Sequence, residues 1–277
     1  MPIIDLHTHS TASDGLLSPA DVTRRAADRG VAVLALTDHD ETGGLPHARA
    51  AAERAGMRFI DGVEISIEWG GLQVHIVGLN FDVGNAALTA GLESIRSGRT
   101  ARAQRMSAAL EQSGIPDCFS GAMRHAKNPS LIGRSHFARY LVEIGVCRDV
   151  RSVFDSYLVP GKPGYVAHCW ATLEEAVGWI LGAGGVPVIA HPGRYKFSRE
   201  EMRDLFDAFK GLGGQAIEVV SGSHSPEHFA AFSRLAREYG FLASCGSDFH
   251  GPEESYVDVG GHAPLPDSVA PVWTVFH

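Results

Sequence analysis

At 277 residues, 44% apolar and 20% charged, the chain is long enough for one large α/β domain or two ordinary ones and has the composition of a globular protein. No stretch approaches the roughly 20 uninterrupted apolar residues of a membrane span, and the start Met1-Pro2-Ile3-Ile4-Asp5-Leu6-His7 lacks the basic and long apolar regions of a secretory leader, so a soluble, cytoplasmic protein without a membrane partner is expected. A net charge of −8 argues against long nucleic acid as a partner.

Residues 3–6 form the first candidate strand. Ser18-Pro19 supplies an N-cap and a first-turn proline for a helix over 20–29, and Gly30 is a fitting stop. A strand at 31–36, a helix at 45–54 and strands at 58–63 and 73–79 follow. Between 91 and 165 the rhythm breaks into helical patterns without a convincing strand, as an insertion would. That segment holds eleven Lys/Arg against six Asp/Glu, and the remainder thirteen against twenty-six, which suggests that the middle meets an anion while the rest binds cations. Arg96, Arg99, Arg102 and Arg105 recur every three residues there, a stripe expected to be a solvated helix face. The alternation then resumes with a helix at 173–181, a strand at 186–190, a helix at 199–209, a strand at 216–220, a helix at 227–238 and a strand at 242–245. Residues 1–90 and 166–277 are thus predicted to form one discontinuous α/β barrel or sheet, its strands parallel through right-handed crossovers, and 91–165 a helical insertion forming part of the substrate site.

Four cysteines, Cys118, Cys147, Cys169 and Cys245, lie far apart with no C-x-x-C pair and are read as core or surface thiols. Fourteen histidines are an excess that favours metal or acid–base chemistry. They fall at strand ends. Asp5-Leu6-His7-Thr8-His9 follows the first strand, Thr37-Asp38-His39-Asp40 the second and Gly62-Val63-Glu64 the third, while His75 lies within the fourth. Ala190-His191-Pro192 ends the strand at 186, Glu218 and Ser221 mark the one at 216, and Gly246-Ser247-Asp248-Phe249-His250 ends the last. In a parallel barrel these ends share one face. His7/His9 and Asp248/His250 are i, i+2 pairs that an extended strand points to the same side, and Glu64 can bridge two cations. Mixed nitrogen and oxygen ligation without thiolate suits Mn2+, Fe2+ or Zn2+. Asp38 is expected to orient His39 as a hydrogen-bond acceptor.

With Asp14, these pieces resemble the PHP family, named for its polymerase-associated and histidinol-phosphatase members. The resemblance covers residues 1–80 and 185–250. It implies a distorted (β/α)7 barrel, here with the inserted helical subdomain, phosphoesterase activity and a trinuclear metal centre. One ion would be bound by His7, His9, Glu64 and Asp248, a second by Glu64, His75 and His191, and a third by Asp14, His39 and His250. Some relatives carry histidine where this chain has Asp14, which implies a weaker third site or a harder ion. Two to three divalent ions are expected, Mn2+ first, with Zn2+ or Fe2+ as alternatives. The insertion, Arg134-Ser135-His136 and Pro160-Gly161-Lys162-Pro163-Gly164-Tyr165 resemble the branch containing 3′,5′-nucleoside bisphosphate phosphatases and short-RNA 5′-exonucleases.

The expected partner is a small phosphorylated substrate, a nucleotide or short RNA. The expected reaction is attack on phosphorus by a hydroxide bridging two ions. Arg134 follows Gly133 at a helix start, where side chain and backbone N–H groups can hold a phosphate together. Ser135, His136, Lys162, Tyr165, Arg194 and His224 complete the substrate contacts, and His191, His224, Arg134 and His136 are the catalytic candidates, His136 and His224 as groups that orient phosphate or protonate the leaving oxygen. A histidinol-phosphate or other small-monoester phosphatase is the competing enzyme. A metal-stabilised binding module is the competing non-enzyme, although every matched ligand position holds a competent residue.

Overall fold

The computed structural model describes residues 2–168 and 170–276, so the reading of Cys169 as a thiol lies outside the described residues. The chain divides into two compact units, one of Met1–Leu92 with Trp170–His277 and one of Glu93–Cys169. Among the described residues no helix is long and apolar enough to cross a membrane.

In the first unit seven strands form one sheet in chain order: β1 Ile3–Asp5, β2 Val31–Leu36, β3 Arg58–Trp69, β4 Leu72–Leu79, β5 Val186–Ile189, β6 Ala216–Ser221 and β7 Leu242–Gly246. Beyond the last strand the backbone closes on the first. Leu6 N donates to Cys245 O at 3.0 Å, Asp248 N to His7 O at 2.9 Å and His9 N to Phe249 O at 2.8 Å. One apolar core takes residues from every strand, among them Ile4, Leu6, Ala35, Ile60, Val77, Val188, Ala216 and Leu242, and the C-terminal Val272 and Phe276 pack on it. With period-two alternation, Leu34 faces the other way and packs with Ala26 and Ala52 of helices Pro19–Asp28 and Leu45–Ala55. The result is a distorted seven-stranded barrel.

The expectation that all strands run parallel fails at β4, which pairs antiparallel with both β3 and β5. The reason is the turn. Gly70 and Gly71 take φ of 57° and 75°, the left-handed pair a two-residue hairpin needs, and Trp69 pairs directly with Leu72. β3 therefore runs on past Glu64, and β4 returns beside it, opposing His75 to Ser66.

The closing seam leaves no room for a side chain. A Cβ on Gly246 would stand 2.3 Å from His7 Cβ and 2.7 Å from His7 N, and the backbone atom cannot swing aside. Gly246→Ala is expected to cost about 1–3 kcal/mol or more, which for a chain of this size lowers the melting temperature by several degrees, at roughly 2–4 °C per kcal/mol. A thermal melt unchanged from the parent would show that the seam yields.

The second unit is helical, with helices Arg99–Gln112, Cys118–His125 and Arg134–Glu143 packed on Met106, Leu110, Cys118, Phe137 and Leu141. Cys118 and Cys245 are buried free thiols and Cys147 is half-buried.

Candidate metal centre

Each putting-together of ligands at the rim has a local cause. His7 and His9 stand on the β1 extension that the seam holds, and their Nε2 atoms converge to 3.0 Å. Residues 38–40 run alongside 64–66: Glu64 N donates to Asp38 O at 3.2 Å, Asp40 N to Glu64 O at 2.9 Å, and Ser66 N to Asp40 Oδ1 at 2.8 Å. That pairing lays His39 beside Glu64. His191 and Asp248 leave their strands with φ of 28° and 54°, conformations that cost non-glycine residues of order 1–3 kcal/mol each and recur at functional sites.

Glu64 is fully buried at the centre of five imidazoles. Its Oε1 lies 2.9 Å from His75 Nδ1, 2.9 Å from His191 Nε2 and 3.3 Å from His7 Nε2, and its Oε2 lies 2.9 Å from His39 Nδ1 and 3.4 Å from His9 Nε2. Burial alone would raise its carboxyl, but His75, His39 and His7 hold it well below the usual carboxylate range. Asp248 divides its oxygens. Oδ1 lies 3.3 Å from His9 Nε2 and 3.6 Å from His7 Nε2, while Oδ2 accepts from Arg194 Nη1 at 2.6 Å. Asp14 Oδ1 stands 3.4 Å from His250 Nε2 and 3.9 Å from His39 Nε2.

The structure brings all nine expected ligands together, in four groups whose donor atoms lie within 4.8 Å of one another: His9, Asp14, His39 and His250; His7, His9 and Asp248; His7, Glu64 and His191; His39, Glu64 and His75. The grouping differs from the expected partition in that His39 stands with Glu64 and His75 as well as with Asp14 and His250. The donor set fits divalent cations on its own chemistry. Two imidazole nitrogens face each other at 3.0 Å, and the buried Glu64 Oε2 and Asp248 Oδ1 accept no well-formed hydrogen bond, an arrangement that is costly unless a cation lies among them. Burial, then the neighbouring His250, pushes His9 down to about 3, and burial, then Arg194, pushes His191 down to about 3. Both are neutral imidazoles, the ligating form.

Several expected roles change. Asp38 does not touch His39. Its carboxylate accepts from Ser10 N at 2.7 Å, Ser10 Oγ at 2.7 Å and Ser13 Oγ at 2.6 Å, and so fixes the turn that carries Asp14. His224 accepts from Gly193 N at 3.0 Å through Nε2, and its Nδ1 stands 3.1 Å from Val219 O. Burial pushes it down to about 4. With Nε2 accepting from one backbone amide and Nδ1–H held by a backbone carbonyl, it braces the turn after His191. His136, buried, accepts from Gly133 N through Nδ1 at 3.1 Å and caps its own helix.

In the second unit Arg134 and Ser135 open the helix after Gly133, and the Arg134 guanidinium lies 5.5 Å from the Phe154 ring centre. Lys162 and Tyr165 sit in a turn, with Tyr165 N donating to Lys162 O at 3.0 Å. The arginine stripe is no solvated face. Arg99 and Arg102 are 7% and 3% exposed, while only Arg105 points outward and Arg96 is half-buried. Burial, then Arg134 and Arg99, pushes Arg102 down to about 9. Three guanidiniums thus crowd where two helix starts meet: Arg99 and Arg102 share a face of one helix at i, i+3, and Arg134 comes from the first residue of another.

Glu218 was not among the expected site residues. It lies buried on β6 with Oε1 2.6 Å from His7 Nδ1 and Oε2 accepting from His191 N at 2.6 Å. The only signal in sequence was a lone carboxylate inside the apolar run Ala216–Ser221.

A seven-stranded barrel whose rim gathers these nine ligands defines a PHP-domain protein, and the PHP domain family matches residues 5–219. The chain belongs to that family. It is 56% identical over 273 residues to the 3′,5′-nucleoside bisphosphate phosphatase of Chromobacterium violaceum, covering 99% of this chain and 96% of that one. It is 42% identical to a 5′-3′ exoribonuclease of Haemophilus influenzae, covering 98% of each. A solved amidohydrolase structure from Chromobacterium violaceum, with bound sulfate and no metal, superposes with a TM-score of 0.96 at 56% identity, covering 98% of this chain and 95% of that one.

Proposed function

We propose that this chain is a metal-dependent phosphoesterase that removes the 3′-phosphate from nucleoside 3′,5′-bisphosphates and trims short RNA from the 5′ end. The observation that carries the reading is the convergence of five imidazoles on the buried Glu64, in a chain matching a bisphosphate phosphatase along almost its whole length. His7, His9, Asp14, His39, Glu64, His75, His191, Asp248 and His250 hold two to three divalent ions, with Mn2+ the first choice. Ions held there supply Lewis-acid charge to the phosphoryl oxygens and make water a competent nucleophile near neutral pH.

The chain's own residues do the rest. Arg194, anchored by Asp248, presents the half-exposed remainder of its guanidinium to a phosphate. Asp38 and Asp40 hold the loops that aim Asp14 and His39. In the second unit Arg99, Arg134 and Tyr165 stand near enough to Arg102 to act on its charge, a basic group that favours a substrate with more than one phosphate, with Ser135 and Lys162 as further proposed contacts.

The test is phosphate release with Mn2+ from adenosine 3′,5′-bisphosphate, adenosine monophosphates, histidinol phosphate and 5′-phosphorylated short RNA. Preference for histidinol phosphate would overturn the substrate assignment, and no turnover on any of them would leave a binding module. Within the same assay Arg102→Ala is expected to raise KM for the bisphosphate about 10- to 100-fold, since a charged hydrogen bond contributes about 1.5–3 kcal/mol, with a smaller effect on the 3′-monophosphate. Equal losses on both would separate the guanidinium cluster from phosphate counting.

A further inference from the structure

We propose that Glu218 is a positioning residue that sets the tautomer of His7 and the backbone posture of His191, and through them determines how tightly the centre holds its cations. The inference rests on the metal-centre reading above.

One carboxylate serves two ligand residues from different strands. Oε1 lies 2.6 Å from His7 Nδ1 and Oε2 accepts the His191 backbone N–H at 2.6 Å. A register shift between Glu218 and Val220 in the β6–β7 pairing interrupts the strand at this point, and such irregularities re-aim a side chain. The carboxylate has only acceptors to offer, so His7 must present N–H at Nδ1. Nε2 then carries the free lone pair, and it is Nε2 that stands 3.0 Å from His9 Nε2 and 3.3 Å from Glu64 Oε1, among the ligand atoms. The same carboxylate holds the amide of His191, whose φ of 28° places its ring 2.9 Å from Glu64. A metal-ligating histidine that donates its other nitrogen to a carboxylate is oriented and made more basic by it.

Glutamine at this position is nearly isosteric but has one acceptor oxygen. If that oxygen keeps the His191 amide, its NH2 faces His7 Nδ1 and drives the His7 proton to Nε2, where it blocks ligation. Glu218→Gln is therefore expected to weaken Mn2+ binding ten- to a hundredfold, at least as much as Glu218→Ala, while destabilising the metal-free fold less than alanine does. Binding is read by competition with a chromogenic chelator, and the tautomer by 15N imidazole shifts of metal-free, histidine-labelled protein recorded at alkaline pH, where the raised His7 imidazole is neutral. Glu218→Gln with parental Mn2+ affinity, or with His7 still protonated at Nδ1, overturns the proposal. A purely structural role predicts lower melting temperatures with unchanged affinity in the folded fraction. Parent protein that binds no Mn2+ sinks the metal-centre reading itself and this inference with it, an outcome distinct from parent binding matched by the variant.

Discussion

Glu64→Gln is expected to reduce kcat/KM on the preferred phosphate ester by on the order of a thousandfold, the rate equivalent of the roughly 3–5 kcal/mol that follows loss of one partner in a buried charge network. The size follows from position. Glu64 alone reaches imidazoles from four separate stretches of chain, His7 and His9, His39, His75 and His191, through two oxygens with different neighbours. It belongs to two of the four ligand groups, so no other carboxylate can replace it. Glutamine keeps the volume but removes the charge and turns an NH2 toward nitrogens that need a cation. The variant should still fold, because Ile65, Ile67 and the hairpin pairing of β3 are untouched. Circular dichroism matching the parent, with activity lost, is the expected pair of results; activity within tenfold of the parent would mean that Glu64 does not serve the ions.

Removing divalent ions should lower the melting temperature by roughly 10 °C, because a ligand present at a thousandfold its Kd stabilises by about 4 kcal/mol and a chain of this length shifts roughly 2–4 °C per kcal/mol. The dependence on pH gives this effect its signature. In the metal-free protein burial would lower His250, but Asp14 outweighs it and raises the group to about 9; His7 is raised by Glu218 and Glu64 and His39 by Glu64 and Asp14, each against its own burial. These folded-state values lie above the ordinary 6.5. Their contribution to stability is complete below about pH 6.5 and is lost as pH rises toward 9. His9 and His191, lowered to about 3, act only on the acid side of that window. Ligation requires the same nitrogens without protons. Between pH 6.5 and 9 the metal-free protein should therefore lose melting temperature, and the gap between it and Mn2+-loaded protein should widen. Parallel curves would show that the ions do not compete with these protons.

Much of this centre was legible because its chemistry needs unusual residues at strand ends. His7 and His9, or Asp248 and His250, announce themselves by identity and spacing, and the apolar runs between them mark the strands. His75 was harder to place, since only the reversal of β4 at Gly70-Gly71 explains a ligand early in a strand rather than after it. The Gly-Gly pair between apolar runs was itself a hairpin signal, outweighed in reading by the parallel rhythm around it. Partners in space were not legible. Asp38 precedes a ligand, yet its carboxylate serves Ser10 and Ser13, and Glu218 is an ordinary buried acid until β5 and the β1 extension are seen at its two oxygens. Arg99 and Arg102 looked solvated because charge favours water, and only packing around Gly133 and Val166 shows them buried.

The claim beneath all of this is that nine side chains from distant parts of the chain hold neighbouring cations around Glu64. Anomalous diffraction from crystals grown with Mn2+ measures it directly. Strong peaks within ligand distance of Glu64, with further density bounded by Asp14, His39 and His250, are predicted; a protein that diffracts well and shows no anomalous peak among these residues would contradict it.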